Sequence, residues 1–254
     1  PALWDLQTGL IFIGSTSESA SKLCIELIER AFDLELDRIT SGKLAHSFAQ
    51  EQQRLEELDA AGPTVYHDDE TALPEVFWWN GQSGNFDFLG NDFLLWLWWH
   101  LETQSDTIRL SDDSEVTGMF ARSICLECPR GESGKDSLSS ESPVQLPEAA
   151  LAIRSGKLPR KAGLTLVRHG EQYDLQLQAE TLAVSGAKIR TGDAAGGGAF
   201  REDRLDSLRA MSETLDLLLA AYCQRRLGDD WDRELKQMRH WLQIQPRQAR
   251  KPAA

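Results

Sequence analysis

Between Phe93 and Trp99, seven successive positions carry no polar side chain, and three of them are Trp. Asn91 or Asp92 can accept the free N–H bonds of a helix start, so the run predicts a capped helix. A helix that is apolar all round has to be buried all round. It is too short to cross a bilayer, which takes about 20 apolar residues. A platform for stacking bases needs a wet, basic surround, and the charged neighbours here are acids. The run therefore predicts a central core helix.

Other segments carry weaker versions of the same signals. Residues 3–13 predict a strand pair turning at Thr8-Gly9. Ser15 to Ser19 offer helix caps, and Ala20, Leu23, Cys24, Leu27, Ile28 and Ala31 recur at helical spacing, predicting an amphipathic helix across a sheet. Leu34, Leu36 and Ile39 alternate with charges and predict a second strand. Residues 44–60 predict a polar helix ending at Gly62-Pro63, and Glu75 to Trp79 a further strand. Thr107–Leu110 and Val116–Leu126 predict strands around the acidic turn Ser111 to Ser114. Leu146 to Arg154 predict a short helix. A hairpin follows, with arms at Leu164–Val167 and Tyr173–Glu180, the second alternating apolar and polar without exception. Residues 202–227 and 229–244 predict two closing helices.

These elements predict an α+β fold, with antiparallel or mixed sheets, packed helices and a C-terminal helical segment. The organisation read from them is a strand–helix–strand unit over 1–80 and the Trp-rich helix with its strands over 81–130. A flexible Ser/Gly/Pro/Glu loop over 131–147 and a basic helix and hairpin unit over 148–200 follow, the latter closing on the Gly-rich run 194–199. The C-terminal helices take 201–245 and a basic tail 246–254.

Length and composition change this picture little. The chain has 254 residues, 41% hydrophobic and 8% aromatic, enough for a sizeable core. Forty acids against 27 bases give a formal charge of −13, which excludes a uniformly DNA-coated surface but leaves room for a local basic patch. The first residue is Pro, so an N-terminal segment is expected to be missing. No signal peptide or membrane span is visible, and a bacterial-type cytoplasm is the expected compartment. Cys125 and Cys128 form half of a zinc-knuckle pattern, but no second pair follows at finger spacing. Cys24, Cys125, Cys128 and Cys223 are expected to be reduced thiols, with no metal and no cofactor.

Two motifs carry candidate chemistry. Leu164 to Glu171 spells a strand running into Arg168-His169-Gly170, which resembles the opening of the histidine phosphatases. That chemistry needs a neutral His nucleophile beside cationic phosphate ligands. The family's second His has no counterpart, and the motif precedes an alternating strand rather than a loop and helix. A hairpin turn spelling the same letters is the expected reading, with no catalytic residue. The second motif is a basic island. Between Leu151 and Gly170 lie Arg154, Lys157, Arg160, Lys161 and Arg168 with no acid among them, and Lys188 and Arg190 follow. Such cations can neutralise phosphates and give salt-sensitive, sequence-independent binding. An ordinary solvated face, or pairing with the acids of 132–148, is the alternative.

The order of features resembles the C-terminal two-thirds of the RdgC family, bacterial recombination-associated proteins. Trp4-Asp5-x-x-Thr8-Gly9-Leu10-Ile11, followed by a helix with Ser19-Ala20-Ser21-Lys22, is similar to that family's strand-and-helix unit. Glu148, then Ile153-Arg154-Ser155-Gly156-Lys157 and strands 164–168 and 173–189, is similar to its helix–Gly-Lys–hairpin unit. The helix from Arg204 to Leu219 sits where the family has its last one, and the Phe88-Leu89-Gly90 and Phe93-to-Trp98 run looks like a divergent branch. The resemblance covers most of residues 1–225. It implies a non-catalytic, nucleoid-associated homodimer that rings duplex DNA and restrains RecA-driven strand exchange; on charge alone, Arg154, Lys157, Arg160, Lys161, Arg168, Lys188 and Arg190 are the candidate phosphate contacts. A competing class is an acidic protein-interaction module without DNA binding.

Overall fold

The computed structural model describes residues 1–66, 86–128, 135–139, 147–191 and 201–243. Strands β1 (Ala2–Asp5) and β2 (Leu10–Ile13) pair antiparallel as a hairpin, Ala2 opposite Ile13 and Asp5 opposite Leu10. Gly9 supplies the left-handed backbone of the turn (φ 73°). Helix α1 (Glu18–Phe32) is capped by Ser17, whose hydroxyl accepts from Ala20 N, and ends at Asp33 in the left-handed region. Helices α2 (Ser41–Glu51), α3 (Leu55–Ala60) and α4 (Phe88–Thr103) come next. Strands β3 (Thr107–Arg109), β4 (Glu115–Glu127) and β5 (Lys135–Ser139) precede α5 (Pro147–Arg154), and β6 (Leu158–Arg168), β7 (Glu171–Gln178) and β8 (Val184–Thr191) complete the sheet. Helices α6 (Arg201–Arg226) and α7 (Trp231–Gln243) close the described chain.

The large sheet runs β3-β4-β6-β7-β8, with β5 also paired to β4, and every pairing is antiparallel. The fold is α+β with a C-terminal helical segment, as the periodicity predicts. One buried cluster extends from Ala45 to Leu242, so the segments 81–130, 148–200 and 201–245 share a single core.

Helix α4 is the centre of that core. Every residue from Phe88 to Trp99 is buried, because the helix packs against β4 and β6 on one side and α2, α6 and α7 on others. Trp96 contacts Tyr222 at 5.6 Å between ring centroids, and Trp98 meets Trp241 edge-on at 5.1 Å. Their indole N–H groups are satisfied by Glu234 (3.1 Å) and Glu102 (2.6 Å). The expected cap is displaced. The helix begins at Phe88, and Asn91 and Asp92 lie inside it, where each binds tertiary partners instead. Asn91 donates to Pro159 O (2.7 Å) and Glu180 Oε1 (2.8 Å). Asp92 accepts from Thr64 Oγ1 (2.5 Å). Burial pushes the Asp92 carboxyl up to about 6, against the pull of Arg226 3.9 Å away.

Gly90 is where α4 meets the end of β7. A Cβ there would lie 1.9 Å from Ala179 O and 2.7 Å from Ser41 Oγ, so only glycine permits the approach.

Three further expectations are corrected. Leu34 to Ile39 form no strand. Among the described residues no strand pairs with them, and the segment is a connector held by Leu36 N donating to Glu29 Oε1 (2.9 Å) and by the Lys43–Asp37 ion pair. The single helix expected over 44–60 is two, α2 and α3, broken where Gln53 turns left-handed (φ 57°). Within the expected loop 131–147, Lys135–Ser139 pair with β4 as β5. The expected strand Glu75–Trp79, the Gly-rich run 194–199 and the basic tail lie outside the described residues.

Helix α1 does not lie apolar side down. Ser21 is buried and Cys24, Ile25 and Ile28 are half-buried, but Leu23 and Leu27 are more than half exposed. The hairpin beside it is tied to the body through Asp5, which accepts from Arg209 Nε (2.6 Å) and Nη2 (2.7 Å).

Candidate nucleic-acid interface

Strand alternation sorts the side chains of the large sheet onto two faces. On β7, Tyr173, Leu175 and Leu177 face the core, while Gln172, Asp174, Gln176 and Gln178 face out. Register carries the outer set across its neighbours. Lys161 stands opposite Gln178, Thr165 opposite Asp174, Lys188 opposite Asp174, and Arg190 opposite Gln172. Apart from Met119 and Val167, the outer face is a polar carpet. Thr165 Oγ1 donates to Asp174 Oδ1 (2.8 Å), Gln176 Nε2 to Ser123 Oγ (3.2 Å), and Ser185 Oγ to Gln176 Oε1 (3.3 Å). Between Ser123, Gly163, Gln176, Ser185 and Lys188 it dips into a depression of about 290 Å³.

The seven candidate cations divide over this frame. Lys161, Lys188 and Arg190 share the outer face, and the latter two are exposed. Arg190 Nη2 is 3.3 Å from Asp174 Oδ2, a pair that leaves its side chain 62% exposed. Arg154 and Lys157 are half-buried at the turn from α5 into β6, which Gly156 makes in the left-handed region (φ 96°). Arg160 points the other way, with Nε 2.7 Å from Glu180 and Nη1 3.6 Å from Glu127. Burial raises the Glu180 carboxyl, while Arg160 and Asn91 pull it down.

Arg168 is a correction. It is 4% exposed, at the inner end of β6, and its guanidinium donates to Asp112 (2.5 Å), Glu213 (3.0 Å) and Ser114 (3.0 Å). Burial works against that charge, but the bonds to Glu213 and Asp112 outweigh it and raise the guanidinium's pKa. Bonds from Ser114 and then Arg168 hold Asp112 down at about 2. The Arg168 donors are directed at Ser114, Glu213, Thr214 and Asp112, so its charge is already paired within the protein.

The same geometry bears on the phosphatase-like motif. His169 (φ 51°) and Gly170 (φ 80°) form the two-residue turn between β6 and β7, both left-handed as the favoured hairpin turn requires. The arginine is inside and the histidine is exposed at the tip. Among the described residues no group of three His, Cys, Asp or Glu side chains could hold a metal. Burial pushes the Cys223 thiol up to about 12.

Sequence reasoning on charge alone missed Asp174, Thr165, Gln176 and Ser123, the groups that organise the outer face. The signal was present in the polar positions of the alternating β7 arm. No family model matches the chain, no curated protein matches it, and no solved structure matches it. Among the described residues no helix is long and apolar enough to cross a membrane.

Proposed function

We propose that this chain binds duplex DNA without sequence preference through the outer face of the large sheet, as an RdgC-like modulator of RecA-dependent recombination. It acts as a non-catalytic homodimer on the bacterial nucleoid. The observation that carries the reading is the placement of Lys161, Lys188 and Arg190 on one open, polar strand face with Asp174 as its organising acid. Ser, Thr and Gln side chains around them are the usual partners of phosphate oxygens and carry no base preference. Arg154 and Lys157 extend the same run at the turn into β6. The RdgC-like role is taken from the resemblance in feature order, which itself includes Arg154 and Lys157.

The test is a titration with random-sequence duplex at two salt concentrations. Three phosphate contacts give a slope near −2.7, so affinity falls about 40-fold from about 50 to about 200 mM salt. Reversing Lys161, Lys188 and Arg190 to Glu together removes that component. Absent binding at low salt, or binding untouched by the triple reversal, refutes the reading. The competing reading, an acidic interaction module, draws on the net charge of −13 and takes its place in that event. Steady phosphomonoester hydrolysis that vanishes in His169→Ala would overturn the non-catalytic assignment.

A further inference from the structure

The hairpin β1–β2 and the last strand of the large sheet, β8, line a common groove of about 730 Å³. β8 is hydrogen-bonded to β7, and β1 and β2 only to each other, so among the described residues both sheets keep an unpaired edge. Unpaired edges are templates for a further strand. The groove side of β8 is apolar through Val184, Ala187 and Ile189, while Lys188 and Arg190 lie on its outer face. Helix α6 contributes Leu208, Met211 and Leu215 to the same groove.

One lining residue does not fit an apolar site. Asp216 faces the groove from α6, and among the described residues no hydrogen bond or ion pair reaches its carboxylate. Burial and the like charge of Glu213 push it up to about 6. A half-desolvated carboxylate without a partner is costly, and a cation delivered into the groove would offset that cost. Apolar exposure also runs past the groove. Leu3 and Ile39 line it while more than a third exposed, and Trp4, equally exposed, touches Phe32 edge-on at 5.2 Å. An occupant longer than a small molecule is needed to cover that surface.

We propose that the groove receives an extended segment of a partner protein as an added β-strand, whose inward face is apolar and carries one Lys or Arg against Asp216. The volume agrees. With a rise of about 3.3 Å, a strand spacing of about 4.8 Å and a layer of about 10 Å, one strand residue claims roughly 160 Å³. The groove then takes about five residues, an ordinary strand. Main-chain bonds to the free edges supply affinity, and the alternating pockets supply specificity. A second copy of this chain is the poorer occupant, because its strands β1 and β2 carry no Lys or Arg and those of β8 lie on its outer face, not its apolar one.

The probe is a fluorescein-labelled peptide of about nine residues alternating Val and Thr, with Lys in place of the central Val, followed by anisotropy in about 0.15 M salt. Saturable binding is expected, weakened at least about tenfold by Lys→Glu in the peptide or by N-methylation of alternate residues. Asp216→Asn in the full chain should weaken it about tenfold, whereas Asp113→Asn, an equal charge change at an exposed turn, should leave it within about twofold. Absent saturation at millimolar peptide overturns the proposal. So does indifference to N-methylation, or equal effects of the two Asn variants. A concentration-dependent dimer that excludes the peptide would make a second copy the occupant and overturn it as well.

Discussion

Replacing Gly90 with Ala should destabilise the protein, although the same change in an exposed helix interior usually stabilises it by about 1 kcal/mol. The added methyl would sit 1.9 Å from Ala179 O and 2.5 Å from its carbonyl carbon. Carbon atoms rest about 3.5 Å or more from their neighbours, so α4 and the end of β7 must part by roughly 1.5 Å. That carbonyl is not free to retreat. Ala179 N donates to Arg160 O (3.0 Å), and the next carbonyl, Glu180 O, accepts from Ser41 N (3.0 Å) and Ser41 Oγ (3.1 Å). Overpacking costs about 1–3 kcal/mol, and each of the strained hydrogen bonds adds about 1 kcal/mol. Set against the propensity gain, the net loss is at least about 3 kcal/mol. In a chain of this size that lowers Tm by roughly 6–12 °C. Differential scanning calorimetry of the variant beside Gly62→Ala, whose added methyl meets nothing within 4 Å, isolates the contact. A Gly90→Ala protein melting at or above the parent would refute the claim that this crossing fixes α4.

Arg168→Met should cost about 2 kcal/mol, less than for a fully desolvated pair because the Glu213 side chain is 62% exposed. It should also leave duplex affinity unchanged, and a drop in affinity equal to that of Lys188→Glu would reverse the assignment of Arg168 to the interior. Asp92 and Asp216, both raised to about 6 in the folded state, bind protons there more tightly than in the unfolded chain. Stability should therefore rise as pH falls from about 7 towards about 4, and fall again below that as Asp112, held down near 2, becomes protonated. Asp216→Asn should stabilise the protein at pH 7 by on the order of 2 kcal/mol and flatten the upper part of that profile, as urea titrations at several pH values would read. Iodide should leave a large unquenched fraction of native tryptophan emission, since Trp96, Trp98 and Trp99 are each no more than 3% exposed; complete quenching with a red-shifted spectrum would contradict their burial.

Periodicity located most elements because it reports burial, and burial is what the sheet and helices share. The alternation of Tyr173 to Glu180 predicted β7 and its wet face, although the strand ends at Gln178 and Glu180 is buried, and the Trp-rich run predicted a core helix. The same reasoning misplaced the start of α4, because Asn91 and Asp92 are as fit for buried tertiary bonds as for a cap, and a one-dimensional pattern cannot separate the two. Leu34 to Ile39 alternate like a strand, but a strand also needs a neighbour, which no local pattern reveals. The basic island was legible as charge, not as geometry. Arg168 lies one residue beyond Val167, which is 37% exposed, and the pleat turns it inward to Asp112 and Glu213, partners distant in sequence.

The position of α4 along the chain sets a problem of timing. Trp96 and Trp98 are sealed by Tyr222 and Trp241, which are synthesised 126 and 143 residues after them. At about 5–20 residues per second, the most apolar stretch of the protein waits on the order of ten seconds beside the ribosome before its covering helices exist. During that interval the exposed stretch should attract holdase chaperones, and faster synthesis should raise the soluble yield.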